Sequence, residues 1–249
     1  FDQPIHVDFM RVAPKARIRL MIPVVFSGNE ASPGIKRGGV LNVVRHEIEC
    51  FCNADAIPEH IAASIAESFS RFEPVADGAR ASGLPLRGYL SCVLGCPYEG
   101  AVDPARVAEL AARLIALGCH EVSLGDTIGV GTATAARSLV RRVAAGVPVE
   151  KLALHCHDTY GQAIANIAAG LEEGVRVIDA SVAGLGGCPF AKGATGNVAT
   201  EDVLYLLEGL GVAPAIDADR LAEIGQWISD RLGRPNGSKA GRARLAARS

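Results

Sequence analysis

Two histidines, His155 and His157, directly follow the largely apolar run 151–154 and stand two residues apart. Residues i and i+2 of a β-strand face the same side, so both imidazoles would point in one direction. Two imidazoles that converge can provide two ligands of a metal ion. The pair alone supports a structural contact between the rings about as well as it supports a metal site.

A third candidate ligand is Asn197, which ends the glycine-containing segment 193–197. Glycine in such a loop lets the backbone approach a bound group closely, and an amide oxygen is a suitable ligand for a hard cation. The local sequence favours a simpler role. Asn197 also stands where a turn residue, or the N-cap of a helix that begins near Thr200, is expected.

A thiol and a carboxylate could handle protons near such a site. Cys188 follows two glycines and precedes Pro189, so its thiol would be accessible, and a thiol near a cation can transfer a proton. A packed cysteine explains the same sequence equally well. Asp126 follows the short strand predicted at 121–125 and could act in acid–base chemistry, support a histidine, or cap the next helix.

The strongest candidates lie after predicted strands. Hydrophobic patterning and turn residues predict four strands, at about 86–94, 121–125, 151–154 and 175–182, each followed by a helix. Consecutive strand–helix units indicate a parallel sheet, and polar groups at strand carboxyl ends are typical of a TIM (β/α)₈ barrel. An open dinucleotide-binding sheet is disfavoured because no Gly-x-Gly-x-x-Gly follows the first clear strand.

The predicted helices span about 103–117, 133–145, 162–172, a stretch from 200, and 218–232, with Asp103 and Asp217 as N-caps. An earlier helix at 61–72 is expected to stop ahead of Pro74. Residues 47–51 are compatible with a strand. The basic end of the chain, 234–249, has few large apolar residues and is predicted to be a flexible tail.

Composition narrows the classes of protein. With 249 residues, 49% of them hydrophobic, the chain can form one α/β domain with a sizeable core. A formal net charge of −2 gives no broad attraction to nucleic acid, and no apolar run approaches the roughly 20 residues of a membrane span. The seven cysteines are expected to be reduced and mostly buried, as in a cytoplasmic or organelle-matrix protein, and their spacing is poor for a zinc site.

Five stretches resemble 3-hydroxy-3-methylglutaryl-CoA (HMG-CoA) lyase, in the order 87–100, 123–131, 155–162, 181–190 and 196–202. The most specific is the decapeptide Ser-Val-Ala-Gly-Leu-Gly-Gly-Cys-Pro-Phe at 181–190, in which Phe190 replaces the Tyr expected in that family. The resemblance runs from about Ile61 to Leu232, with a faint extension back to Glu47.

The resemblance implies a (β/α)₈ barrel that cleaves HMG-CoA to acetyl-CoA and acetoacetate, in leucine breakdown and ketone-body formation, with Mg²⁺ or Mn²⁺. The positions that match metal ligands are His155, His157 and Asn197. The positions that match catalytic residues are Cys188 and Asp126, and those that match the lining of the acyl pocket are Ser123 and Tyr89. A homodimer is also implied.

The start of the chain departs from that family. The family's first strand carries an Arg-Asp pair in a motif like Arg-Asp-Gly-Leu-Gln, and residues 1–46 contain no such motif. We therefore expect a divergent or non-family segment at 1–46, a lyase-type barrel portion at 47–233 that lacks the first two strands, and the tail at 234–249. A shifted reading frame or a divergent start would explain this pattern.

Two other functions stay open. A sister enzyme of the 2-isopropylmalate or homocitrate synthase type also uses His-x-His, but the Gly-Gly-Cys-Pro loop at 186–189 favours the lyase. The missing Arg-Asp pair instead favours an inactive fragment that persists as a metal-binding or interaction module.

Overall fold

The computed structural model describes residues 17–26, 47–53, 61–63, 65–97, 100–187, 196–212 and 214–248, with side chains from Phe69 onward. The chain forms two compact units, Phe1–Phe72 and Glu73–Ser249. The boundary predicted between residues 46 and 47 therefore falls inside the first unit. Cys188, a predicted catalytic residue, lies outside the described residues.

The first unit contains a three-stranded sheet in the order β2-β1-β3. Strand β1 (Arg17–Phe26) pairs antiparallel with β2 (Glu47–Asn53) and parallel with β3 (Ile61–Ala63). The strand predicted near residue 47 is thus present, but its partner is β1 and not a strand of the barrel. Seven residues of β1 pair with β2. Because the pairing is antiparallel, no crossover helix is needed to connect the two strands.

Helix α1 (Ile65–Ala81) differs from the predicted helix at 61–72, because it begins later and continues through Pro74. A proline inside a helix costs about 3 kcal/mol. After Pro74 only Ala76 is buried among residues 75–81, and Arg80 donates exposed hydrogen bonds to Asp77 at 2.7 Å and to the Leu117 carbonyl at 3.4 Å. The predicted stop is therefore wrong, and packing does not explain why the helix continues through Pro74.

The second unit contains a four-stranded parallel sheet in the order β4-β5-β6-β7. Its strands are β4 (Arg87–Leu90), β5 (Glu121–Asp126), β6 (Leu152–Cys156) and β7 (Val177–Asp179). Its further helices are α2 (Pro104–Leu117), α3 (Ala133–Ala144), α4 (Ala163–Glu172), α5 (Thr200–Gly209), α6 (Ala218–Leu232) and α7 (Lys239–Ala246). Parallel strands alternating with helices confirm the predicted TIM-barrel architecture. In the described part of the chain, no helix is long and apolar enough to cross a membrane.

Several helix ends follow the sequence signals. The Asp103 carboxylate accepts the backbone N–H of Ala105 at 2.9 Å at the start of α2, and Gly118 ends that helix at φ 114°. Asp217 caps α6 by accepting two backbone N–H groups. Each such cap stabilises its helix by about 1 kcal/mol, so these boundaries are fixed locally.

The parallel sheet has one apolar and one polar face. The apolar face carries side chains that are at most 4% exposed: Val122, Leu124, Leu152 and Leu154. Helix α4 packs directly on this face, since a Cβ added at Gly170 would lie 2.2 Å from Leu154 Cδ1. The strand register places the alternate side chains on the opposite face: Arg87, Glu121, Ser123, His155 and Asp179. Strands of parallel sheets are normally apolar on both faces, so this polar face marks the candidate site.

The end of the chain is helical and not the predicted flexible tail. Ser238 caps α7 by accepting the N–H of Gly241 at 2.8 Å. The Asp202 carboxylate in α5 accepts hydrogen bonds from the Ser238 hydroxyl and the Ala240 N–H, both at 2.7 Å. A residue far away in the sequence therefore anchors the start of α7, which a local composition argument does not detect.

Asp202→Asn should loosen α7, because it removes the negative charge that the helix N-terminus and the Ser238 hydroxyl bind. Loss of a capping contact costs about 0.5–2 kcal/mol, so amide hydrogen exchange across 239–246 should accelerate by about 2- to 30-fold. Asp230→Asn, on the exposed side of α6, is the matched control and should leave that exchange unchanged. Equal exchange in both variants would show that Asp202 does not anchor the helix.

Candidate functional site

The rings of His155 and His157 lie side by side at the carboxyl end of β6. Their Nε2 atoms are 3.3 Å apart and their ring centroids 5.2 Å apart. The His155 side chain is about one third exposed (31%), whereas His157 is buried. Neighbouring ligands of an octahedral Mg²⁺ are about 3 Å apart, so the two nitrogens are spaced to face one cation. The alternation argument correctly predicted that both rings lie on one side.

Asn197 lies against His157 through a backbone β-bridge. Its Nδ2 donates to the Leu185 carbonyl at 2.8 Å, which fixes the amide orientation. Its Oδ1 is buried and has no hydrogen-bond partner among the described residues, and the same holds for His157 Nδ1. The N-cap of α5 is Ala199, so the alternative role of Asn197 as that cap is not observed. Buried acceptors are normally satisfied, and an unpartnered amide oxygen beside two imidazoles fits a cation.

The described donors at this point are two imidazoles and one amide. No group of three or more His, Cys, Asp or Glu side chains that could bind a metal occurs among the described residues. Mixed nitrogen and oxygen donors suit Mg²⁺ or Mn²⁺. The set would leave positions on such an ion for a substrate.

Burial lowers the pKa of both histidines below the usual value. For His155 the Asp179 carboxylate opposes this shift and the Arg87 guanidinium adds to it. For His157 the neighbouring His155 lowers the pKa further, and the Asn197 side chain opposes it. Low pKa values keep the rings neutral near pH 7, which is the form that binds metals.

The polar face also carries an ion-pair network that the sequence analysis did not identify. Arg87 bridges two carboxylates, with Nε donating to Glu121 and Nη2 lying 2.9 Å from Asp179 Oδ1. The buried Ser123 hydroxyl donates to Asp179 Oδ2 at 2.7 Å. Tyr89 is mostly exposed, and its hydroxyl accepts a hydrogen bond from Arg87 at 2.7 Å. The two predicted pocket residues, Ser123 and Tyr89, are thus neighbours in register and belong to one network.

Asp126 is placed differently from the other predicted site residues. Strand alternation puts its side chain on the face of β5 opposite to Ser123. Its carboxylate is buried and accepts the backbone N–H groups of Val130 at 3.1 Å and Gly131 at 2.9 Å. Burial raises the pKa of Asp126, and these N–H groups oppose the shift. The carboxylate therefore orders the loop after β5, rather than capping α3, whose N-cap is Thr132.

The cysteines with described side chains are buried: Cys92, Cys96, Cys119 and Cys156. Burial raises the pKa of Cys119, and it raises that of Cys156 to about 12. The thiols of Cys119 and Cys156 are therefore poor nucleophiles at neutral pH.

Two adjoining cavities open near the end of β6, and neither is lined by His155 or His157. The smaller, about 470 Å³, is lined by Asn197, Arg234 and Lys239 among others. The larger, about 780 Å³, is bordered by residues of α4, α5 and α7, including the apolar side chains Ile164, Leu206 and Leu210. Both include Asp158 and Lys239 in their walls. Asn197, which belongs to both the proposed ligand set and the wall of the smaller cavity, connects the two.

Comparison with known proteins places this geometry in a family. A family model described as HMGL-like matches residues 45–228. The chain is 60% identical over 187 residues to the 3-hydroxy-3-isohexenylglutaryl-CoA/hydroxymethylglutaryl-CoA lyase of Pseudomonas aeruginosa, an alignment that covers 75% of this chain and 62% of that protein. The chain spans 62%, 55% and 57% of the lengths of three curated relatives.

Solved structures of hydroxymethylglutaryl-CoA lyases are also similar to this chain. The crystal structure of hydroxymethylglutaryl-CoA lyase from Pseudomonas aeruginosa superposes with a TM-score of 0.72 at 60% identity, over 74% of this chain and 62% of that chain. An HMG-CoA lyase from Acinetobacter baumannii, solved with coenzyme A and 3-methylmalate, gives a TM-score of 0.68 at 33% identity, over 73% and 59% of the two chains.

The start of the chain is similar to a different family, which sequence reasoning missed. A model described as the C-terminal domain of ribosomal protein TL5 matches residues 17–68. That range contains β1, β2 and β3 and overlaps the HMGL-like match between residues 45 and 68. The HMGL-like match begins at residue 45, which agrees with the lack of lyase motifs before that residue. Since the HMGL-like match nevertheless covers well over half of the sequence, the chain belongs to the HMGL-like family.

Proposed function

We propose that this chain carries the metal-binding and thiol-bearing part of an HMG-CoA lyase, which cleaves HMG-CoA to acetyl-CoA and acetoacetate. The observation that carries the proposal is the cluster of His155, His157 and Asn197, with an unpartnered amide oxygen beside two converging imidazoles. Its position at the carboxyl ends of parallel strands is where barrel enzymes assemble their sites. Family membership favours this reaction over other metal-dependent ones.

The reaction is a retro-Claisen cleavage. A divalent ion, Mg²⁺ or Mn²⁺, would acidify the tertiary hydroxyl of the substrate and stabilise negative charge on its oxygens. His155, His157 and Asn197 would hold that ion. A base removes the hydroxyl proton, the carbon–carbon bond breaks, and Cys188 would protonate the carbon of the acetyl-CoA enolate. Ser123 and Tyr89 would line the acyl pocket, and the acid–base role implied for Asp126 stays a prediction.

An acyl-CoA substrate suits the groove beside the site. Its apolar walls can pack against a pantetheine arm, and Lys239 and Arg234 can neutralise phosphate groups. The relative from Acinetobacter baumannii was solved with coenzyme A. We also propose a cytoplasmic or organelle-matrix location, since relatives are named as cytoplasmic and as mitochondrial enzymes, and a homodimer as the assembly.

An inactive metal-binding fragment is the second candidate. It is favoured by the absence of the Arg-Asp motif from the sequence and by the similarity of residues 17–68 to another family. Binding of metal without turnover would identify it. A synthase-type sister enzyme would instead release no acetoacetate.

The metal proposal predicts that His157→Gln and Asn197→Ala each weaken Mn²⁺ binding to the purified chain. Removing a residue that only supports a ligand lowers metal affinity by about 10–100-fold. Removing a ligand itself should lower the Mn²⁺ affinity by more than this. Free Mn²⁺ can be measured by electron paramagnetic resonance during titration. His120→Gln is the control, because that exposed histidine bonds the Leu86 carbonyl outside the cluster. Wild-type binding in all three variants would refute the proposed ligand set.

The thiol proposal predicts that iodoacetamide labels Cys188 before Cys92, Cys119 and Cys156. The latter three are buried, whereas Cys188 follows two glycines in the sequence and, by this proposal, acts next to the ion. Timed labelling with peptide mass spectrometry gives the order, and the urea-unfolded chain, in which all thiols react similarly, is the control. Earlier labelling of Cys92 or Cys119 would contradict the assignment.

The polypeptide should turn over HMG-CoA more slowly than a homologue with the Arg-Asp pair. One missing electrostatic contact to a developing oxyanion costs about 10²–10³ in rate, and one missing carboxylate ligand would weaken metal binding as well. Acetoacetate release with Mg²⁺ or Mn²⁺ measures the rate, and the His157→Gln variant defines the background. A rate within about tenfold of the homologue's rate corresponds to a difference of about 1.4 kcal/mol in activation free energy. Such a rate would contradict the expectation that residues 1–46 supply no substitute for the Arg-Asp pair.

A further inference from the structure

Asp179, the last residue of β7, brings the ion-pair network into contact with the histidine pair. Its Oδ2 accepts hydrogen bonds from the Ser123 hydroxyl at 2.7 Å and from Arg87 Nη1 at 3.1 Å. The same oxygen lies 3.8 Å from His155 Nδ1. One carboxylate therefore touches an arginine, a serine and one of the proposed metal ligands.

The strand register explains this convergence. His155 and Asp179 are direct partners in the pairing of β6 with β7, so their side chains are neighbours on the polar face. Arg87 reaches the carboxylate across the same face from β4. The carboxylate thus has two donors that fix its position, and that position leaves Oδ2 3.8 Å from His155 Nδ1, a distance at which it acts on the ring through its charge.

The charges also favour one orientation of that ring. Arg87 is a single cation between two carboxylates, those of Glu121 and Asp179. The cluster therefore carries a net charge of −1, and its Asp179 carboxylate lies 3.8 Å from His155 Nδ1. A neutral imidazole next to a carboxylate is most stable with its N–H directed at it, which leaves Nε2 as the nitrogen with the lone pair. That Nε2 is the atom 3.3 Å from His157 Nε2.

We propose that Asp179 is a positioning residue that holds His155 as its Nδ1-protonated tautomer and so presents the Nε2 lone pair to a divalent cation. The part that concerns the cation rests on the proposed metal site. The part that concerns the tautomer stands on the contacts of Asp179 alone. Carboxylate partners of this kind orient metal-binding histidines and increase their basicity.

Glu121 offers a matched control. It pairs with the same Arg87, but its position in β5 is four residues before Gly125, the residue that pairs with His155. Four residues of a strand span about 13 Å. Glu121→Gln therefore removes the same charge from the same arginine without changing the group that faces the histidine.

The first measurement is the tautomer of His155 in the metal-free chain, read from the ¹⁵N shifts of its ring nitrogens at a pH where the ring is neutral. Wild type and Glu121→Gln should show protonation mainly at Nδ1. Asp179→Ala should shift the proton to Nε2, and Asp179→Asn, which keeps the volume, should shift it in part. An unchanged tautomer in both Asp179→Asn and Asp179→Ala would overturn the proposal. If the alanine variant does not fold, the result for Asp179→Asn decides the question.

The second measurement is Mn²⁺ titration of the same chains. Asp179→Asn should weaken Mn²⁺ binding by about 10–100-fold, and Glu121→Gln by less than about threefold. If the Asp179 variants shift the tautomer but the wild-type chain binds no Mn²⁺, the positioning contact is supported and the proposed metal site is refuted. Equal Mn²⁺ affinity and an unchanged tautomer in Asp179→Asn would refute the positioning role and leave the metal site standing.

Discussion

The parallel register of β4 to β7 is the constraint on which the rest of the second unit depends. Because side chains alternate along each strand, one register assigns Val122, Leu124 and Leu154 to the helices and His155 and Asp179 to the opposite face. A slip of one residue would bury the charged groups under α4 and expose the apolar ones. The close packing of Gly170 on Leu154 makes that slip costly, so helix packing also fixes the site.

Backbone pairing extends the same register beyond the strands. The N–H of Val198 donates to the Cys156 carbonyl at 3.0 Å, and the N–H of Asp158 donates to the Gly196 carbonyl at 3.0 Å. The N–H of Ser181 donates to the Val198 carbonyl at 3.1 Å. The segment that carries Asn197 is therefore held between the ends of β6 and β7. Its amide oxygen stays beside the histidines because backbone pairing fixes the segment and the bond from Nδ2 to the Leu185 carbonyl fixes the amide.

Features encoded by neighbouring residues could be predicted from the sequence. The short strand β5, the caps of α2 and the common direction of His155 and His157 all depend on residues within a few positions of one another. The Arg87–Asp179 pair joins residues 92 positions apart, and local patterns carry no signal for such a contact. Asp179 itself could have been identified as a candidate, because it is the one charged residue within the largely apolar run 177–182.

The anchoring of α7 was mispredicted for the same reason, since the contact from Asp202 to Ser238 spans 36 positions. The continuation of α1 through Pro74 has no such long-range explanation, because its turns there are mostly exposed. The similarity of residues 17–68 to the C-terminal domain of ribosomal protein TL5 was not predicted from the sequence.

The ion-pair network is better explained by geometry than by stability. Partly buried ion pairs gain little net free energy, since the cost of removing charges from water offsets their attraction. Burial alone would lower the pKa of Arg87, yet hydrogen bonds to Asp179 and Glu121 raise it above its usual value, so the guanidinium stays charged. A permanent cation between two carboxylates gives the Asp179 side chain one fixed orientation. An apolar substitute of equal volume would fill the same space but would leave His155 without a partner for Nδ1, and the ring would lose the contact that decides which nitrogen faces the site.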